Sequence, residues 1–146
     1  MSSKNDLIKD KKYHSKAIMA GILINYNFLI NFCTVCLINN DNYFDYDKLL
    51  DFIYYCKCHN KYTSLISKIY YSRFKRATEL LIQNHIVEAF PDKDNSSLTL
   101  FINKKLTLNS IYANKAIYEE MQAFITDYNK FIYGILNENH NKILTK

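Results

Sequence analysis

Two arginines stand three residues apart, Arg73 and Arg76, inside the run Ser72-Arg73-Phe74-Lys75-Arg76. They are the only arginines among 19 basic residues; every other one is lysine. A guanidinium is a planar fork of donors. It binds guanine O6 and N7 with two hydrogen bonds, or clamps a phosphate, in a geometry an ammonium cannot copy. The charge around the pair is local. No acid occurs from Phe52 to Thr78, where Lys57, Lys61, Lys68, Arg73, Lys75 and Arg76 are basic, while Asp41, Asp45, Asp47 and Asp51 lie just before. The chemistry this pattern suits is contact with a polyanion. Its competitor is a solvated, charged helix face with no ligand.

The four cysteines fall as Cys33-Thr34-Val35-Cys36 and Cys56-Lys57-Cys58, followed by His59. Such spacing could serve a thiol switch or a metal. However, Cys33 and Cys36 sit in the apolar run Asn31–Ile38 on one helical face, where free cysteine acts as a small hydrophobe. The turns that zinc knuckles use are missing, so no metal site is assigned. The packing reading leads, and a redox sensor at Cys33, Cys36, Cys56 and Cys58 stays open as the alternative. Glu119 and Glu120 are adjacent and so point apart on a helix, and His14, His59, His85 and His140 are scattered. No nucleophile motif accompanies them. The chain does not read as an enzyme, and nothing calls for a cofactor.

These residues need elements to hold them. A chain of 146 residues is a single-domain length, and 49% hydrophobic residues with 13 Tyr and 9 Phe exclude disorder. Two glycines and one proline disfavour turn-rich all-β folds and glycine-rich phosphate loops. The bias toward Asn, Ile, Lys and Tyr is that of AT-rich coding, so the net charge of +5 only mildly favours an anionic partner. Residues 1–12 read as a polar lead-in and 13–146 as one domain. A long apolar helix is expected over Tyr13–Ile38, then a loop at Asn39–Asn42. Asp45 or Asp47 caps a helix to about Cys58, with Leu49, Ile53 and Cys56 on one face. A short helix follows over Thr63–Ile69, then a tight connection at Tyr70–Ser72. Ser72 is the expected N-cap of a helix over Arg73–Asn84, with Phe74, Ala77, Thr78 and Leu81 inward and Arg73, Arg76 and Gln83 toward the other side. Ile86–Phe90 and Leu98–Asn103 alternate as two strands around the polar loop Pro91–Ser96. Ser110 caps a last helix to about Leu136, with Ile117, Met121, Phe124, Tyr128, Phe131 and Ile135 as its stripe.

The uncharged stretch Ala17–Ile38 is long enough to cross a bilayer. Asn25, Asn27 and Asn31 place amides on more than one face of it, which lipid would not solvate. The expectation is a buried helix in a cytoplasmic protein with no membrane partner.

The order is mainly α with a small β-hairpin: a winged helix-turn-helix over residues 44–106 between long flanking helices. In that arrangement the second helix enters the major groove of double-stranded DNA and the hairpin reaches the neighbouring backbone. Tyr62–Leu106 resembles the core of MarR-type winged-helix regulators, in the staphylococcal accessory regulator-like branch. The resemblance is carried by Leu65-Ile66-Ser67-Lys68-Ile69, by Arg73-Phe74-Lys75-Arg76-Ala77-Thr78-Glu79-Leu80-Leu81, and by Asn84-His85-Ile86-Val87. It implies a homodimer joined through helices in residues 13–38 and 107–140, regulating transcription at AT-rich palindromic sites. Arg73, Lys75 and Arg76 would then meet bases or phosphates, and Lys68 and Ser72 the backbone. In the wing, Asp92-Lys93-Asp94-Asn95 lacks the arginine usual there, which leaves Lys93 as its cation between two acids. Two other functions compete: a winged-helix protein-interaction module without DNA binding, and a thiol- or metal-sensing regulator. The sequence names no small-molecule effector.

Overall fold

The computed structural model describes residues 3–91, 98–103 and 115–144, with side chains over 15–91, 98–103 and 115–134. Helix α1 runs Ser3–Ile38, strand β1 Tyr43–Asp45, α2 Tyr46–Cys58, α3 Thr63–Ile66 and α4 Tyr71–Gln83. Strands β2 (Val87–Pro91) and β3 (Leu98–Ile102) and helix α5 (Lys115–Leu144) complete the chain. The fold is mainly helical with one small antiparallel sheet, ordered β1-β3-β2. Pro91 closes β2, while residues 92–97 with Lys93, and Ser110, lie outside the described residues, as does the side chain of Ile135.

Aromatic side chains fill the core. Phe32, fully buried, meets Phe44 at 5.0 Å, Tyr128 at 5.7 Å, Phe124 at 6.1 Å and Phe28 at 6.5 Å between ring centroids. Three of these contacts are edge-to-face, the arrangement that the ring quadrupole favours. The rings come from α1, β1 and α5, so elements at both ends of the sequence share one interior. On α5, Met121, Phe124 and Tyr128 are buried as their spacing predicts, whereas Ile117 at the edge is exposed.

The chain stops its helices without glycine. After α1, α2 and α4 the backbone enters the left-handed region at Asn40 (φ 64°), Asn60 (φ 52°) and His85 (φ 58°). Each stop closes with the same bond across five residues: Asp41 N–H to Cys36 O, Lys61 N–H to Cys56 O and Ile86 N–H to Leu81 O, at 2.8–2.9 Å. These are Schellman caps, in which asparagine is the usual substitute for glycine. A chain rich in Asn can therefore end helices sharply with only two glycines.

Several expected boundaries move. Helix α1 begins at Ser3 rather than Tyr13, and α3 ends at Ile66 rather than Ile69. Strand β1 occupies what reads as the lead-in to α2. It pairs Tyr43 with Phe101, Phe44 with Leu100 and Asp45 with Thr99, so its hydrogen bonds come from a partner distant in sequence. Asp45 is the N-cap of α2, accepting from the Lys48 amide at 3.0 Å. Asp47 instead accepts from the Leu98 amide at 3.1 Å and ties β3 to α2.

Ser72 does not cap α4. Helical geometry starts at Tyr71, with Tyr70 at the cap position, and the first turn closes through Phe74 N–H to Tyr70 O at 2.8 Å. Ser72 thus lies inside the first turn and is exposed to solvent. The inner stripe of α4, Phe74, Ala77, Thr78 and Leu81, is buried as its periodicity predicts.

Candidate nucleic-acid interface

Helix α4 packs its inner stripe most extensively on α1. Thr78 secures its own hydroxyl by donating to Phe74 O at 2.9 Å, so that hydroxyl is not stranded. On the far side Ser72, Lys75 and Arg76 are exposed, and Lys68 is exposed in the turn before the helix. This face carries no acid until Glu79, which pairs with Arg76 at 3.1 Å. Both side chains of that pair are about half exposed, and such a pair holds less than about 1 kcal/mol. A phosphate or a base edge could displace it.

The two arginines part company. Arg73 is half-buried and turns toward α1, with its guanidinium carbon 4.9 Å from the centre of the Tyr70 ring. Its stem crosses Gly21: a Cβ placed there would come 2.6 Å from Arg73 Cδ and 2.9 Å from Nε. Arg73 therefore sits at the α1–α4 seam rather than on the outer face with Arg76. The cause lies far from it in sequence, because only a glycine on α1 leaves room for the side chain to cross.

The seam also holds Asn25, fully buried, whose Nδ2 donates to Gly21 O at 2.7 Å and to Lys68 O at 3.3 Å. Its Oδ1 has no partner. This amide fastens the turn before α4 to α1. Of the other amides in the apolar stretch, Asn27 is exposed and Asn31 half-buried. Ser15–Ile38 is the one helix among the described residues long and apolar enough to cross a membrane, and half of its most apolar window is buried inside the molecule.

The cysteines also divide. Cys33, Cys36 and Cys56 are buried, and only Cys58 is exposed. Burial raises the Cys33 thiol well above its ordinary range, with the neighbouring Cys36 adding to the effect. Burial, helped by Asp41, pushes Cys36 up to about 12. Cys56 rises to about 11, again chiefly through burial, with Lys61 pulling the other way. Thiols raised in this way stay protonated at neutral pH and react slowly. Among the described residues, no three or more His, Cys, Asp or Glu side chains gather as metal ligands would.

A second surface was not visible in the sequence. Tyr43, Phe90 and Phe101 are exposed on the outer face of the sheet, with ring centroids 5.5 Å apart for Tyr43–Phe101 and 4.9 Å for Phe90–Phe101. Phe101 alternates outward from Leu100 and Ile102, but its neighbours depend on the pairing of three strands. Comparison with protein-family models, with curated proteins and with solved structures returns no match.

Proposed function

We propose that this protein is a winged-helix transcriptional regulator that binds double-stranded DNA as a homodimer in the cytoplasm. The observation that carries the reading is the two-faced α4: one stripe is buried against α1, while Ser72, Lys75 and Arg76 face solvent beside an antiparallel hairpin. A helix of this kind can enter a major groove while the hairpin meets the adjacent backbone. Arg76 is the candidate base reader, with Lys68, Ser72 and Lys75 as phosphate contacts and Lys93 as the wing's cation. Arg73 acts from the seam, where its guanidinium fixes the start of α4 and stays close to an approaching strand. Support for a dimer comes from α1, where Met19, Leu23 and Ile24 are exposed at helical spacing on one side. A second copy burying that stripe would pair two α4 helices on successive turns of a palindrome.

The reading makes Arg76 and Lys68 unequal. Arg76→Ala should cost about 1–3 kcal/mol on the preferred site and much less on unrelated duplexes. Lys68→Ala should weaken all duplexes alike and lower the slope of log affinity against log salt by about one. Fluorescence anisotropy on two duplex sequences across a salt series separates these outcomes, and equal losses on both sequences for Arg76→Ala would remove its assignment as base reader.

The aromatic strip Tyr43–Phe101–Phe90 favours a second reading, a protein-interaction module. Three exposed rings on one sheet face suit an apolar partner surface. In that case binding would be insensitive to salt, and DNA would not compete.

A further inference from the structure

Beside the turn between α3 and α4 lies a cleft of about 300 Å3, at the small end of the size range for small-molecule sites. Its polar lining is Lys57, Asn60, Lys61, Thr63 and Ser67, over an apolar floor that includes Ile66 and Ile69. No carboxylate among the described residues lines it. Among the described residues neither lysine is in a salt bridge. Their ammonium groups instead lie near tyrosine rings, Lys57 at 5.9 Å from the centre of Tyr70 and Lys61 at 5.4 Å from that of Tyr55. Contact with a ring face holds a cation without cancelling its charge. Lys57 is further fixed by donating to the Ile69 carbonyl. Asp127, whose charge reaches Cys56, is engaged by the Tyr62 hydroxyl and is not part of the lining.

We infer that this cleft binds a phosphate group. The lining offers two ammoniums, an amide and two hydroxyls, a donor set that suits a tetrahedral anion with many acceptor oxygens better than a planar carboxylate with two. The apolar floor accepts whatever carbon the phosphate is esterified to. That group is either a free monoester or a phosphate of a DNA strand. The lining joins the end of α2 to Ser67, Ile69 and Tyr70, the segment that leads into α4, so occupancy ties those elements together. The inference stands apart from the DNA reading, because a free monoester needs no duplex.

The test uses the full chain, labelled with 15N, at constant ionic strength. Inorganic phosphate and phenyl phosphate are titrated separately, with chloride as the control anion. Millimolar phosphate should shift the backbone amides of Asn60–Ser67. Phenyl phosphate should bind several-fold more tightly through the apolar floor. Lys61→Gln should weaken both several-fold, while Lys130→Gln, an exposed change on α5, should leave them unaltered; a spectrum unchanged outside the cleft certifies that each variant is folded. An AT-rich duplex is then added. Displacement of phenyl phosphate assigns the cleft to a DNA phosphate, and simultaneous binding assigns it to a free monoester. No cleft shifts beyond those of chloride, or equal affinity in Lys61→Gln, would overturn the inference.

Discussion

The two faces of α4 use opposite means to hold their residues. Toward α1 everything is placed by close approach: Phe74 and Leu81 are fully buried, Arg73 crosses Gly21, and Asn25 pins the turn at Lys68. Outward, among the described residues, Ser72, Lys75 and Arg76 are held by the helix backbone and one exposed ion pair. The contrast separates stability from recognition. Changes on the inner face should move the folding equilibrium, and changes on the outer face should leave it nearly untouched while altering what the protein binds.

The largest effect on folding is expected from Phe32→Ala, in the core that α1 shares with β1 and α5. Truncating a fully buried phenylalanine ringed by four aromatic side chains should cost about 3–5 kcal/mol in urea unfolding. A loss below about 1 kcal/mol would mean that the packing described for α1, β1 and α5 is wrong.

The buried thiols offer a test in pH. Cys36 at about 12 and Cys56 at about 11 hold their protons more tightly folded than unfolded. Their contribution to stability is complete below about 9 and is lost as pH rises toward 11–12. Denaturant midpoints measured from pH 7 upward should therefore fall across that window. In the native protein at pH 8 a thiol reagent should modify Cys58 quickly and the other three only on unfolding. Rapid reaction of all four would return the cysteines to the sensor reading.

A smaller effect addresses the seam itself. Gly21→Ala adds a Cβ where Arg73 Cδ already lies, so the arginine must swing away from Tyr70. Crowding of about 1–3 kcal/mol is offset by up to about 1 kcal/mol of helix propensity, leaving a modest net cost. With Arg73→Ala present the crowding is gone, and the same change should stabilise by up to about 1 kcal/mol. The sign reversal across this double-mutant cycle is the signature of direct contact.

Much of α4 was legible in the sequence, since a stripe at three- and four-residue spacing can point only one way once one side must be buried. The two hairpin strands and an aspartate cap for α2 were legible for the same local reason, but the choice of Asp45 over Asp47 was not, because Asp47 is drawn to the Leu98 amide of a distant strand. Strand β1 was not, because three residues are too few to show alternation and its pairing is with β3. Ser72 failed as a cap because Tyr71 had already turned helical ahead of it, under the first-turn bond to the Tyr70 carbonyl. The division between Arg73 and Arg76 could not be read at all from their own neighbourhood. Identical side chains at i and i+3 diverge because a glycine on another helix lies beneath one of them. The cleft beside α3 was hidden in a similar way. Lys57 and Lys61 were visible as charge, but their place around one cavity follows from the turns at Asn60 and Tyr62, both in left-handed backbone without glycine.

We propose that the outer face of α4 binds duplex DNA from a dimer. Titration of AT-rich duplex across a salt series, with mass measured by light scattering in the same buffers, tests this. The expected result is a particle of twice the 17.3 kDa chain whose affinity falls steeply as salt rises. A particle that binds no duplex at low salt would contradict it, and would leave the outer face of α4 and the aromatic sheet as surfaces for a protein partner.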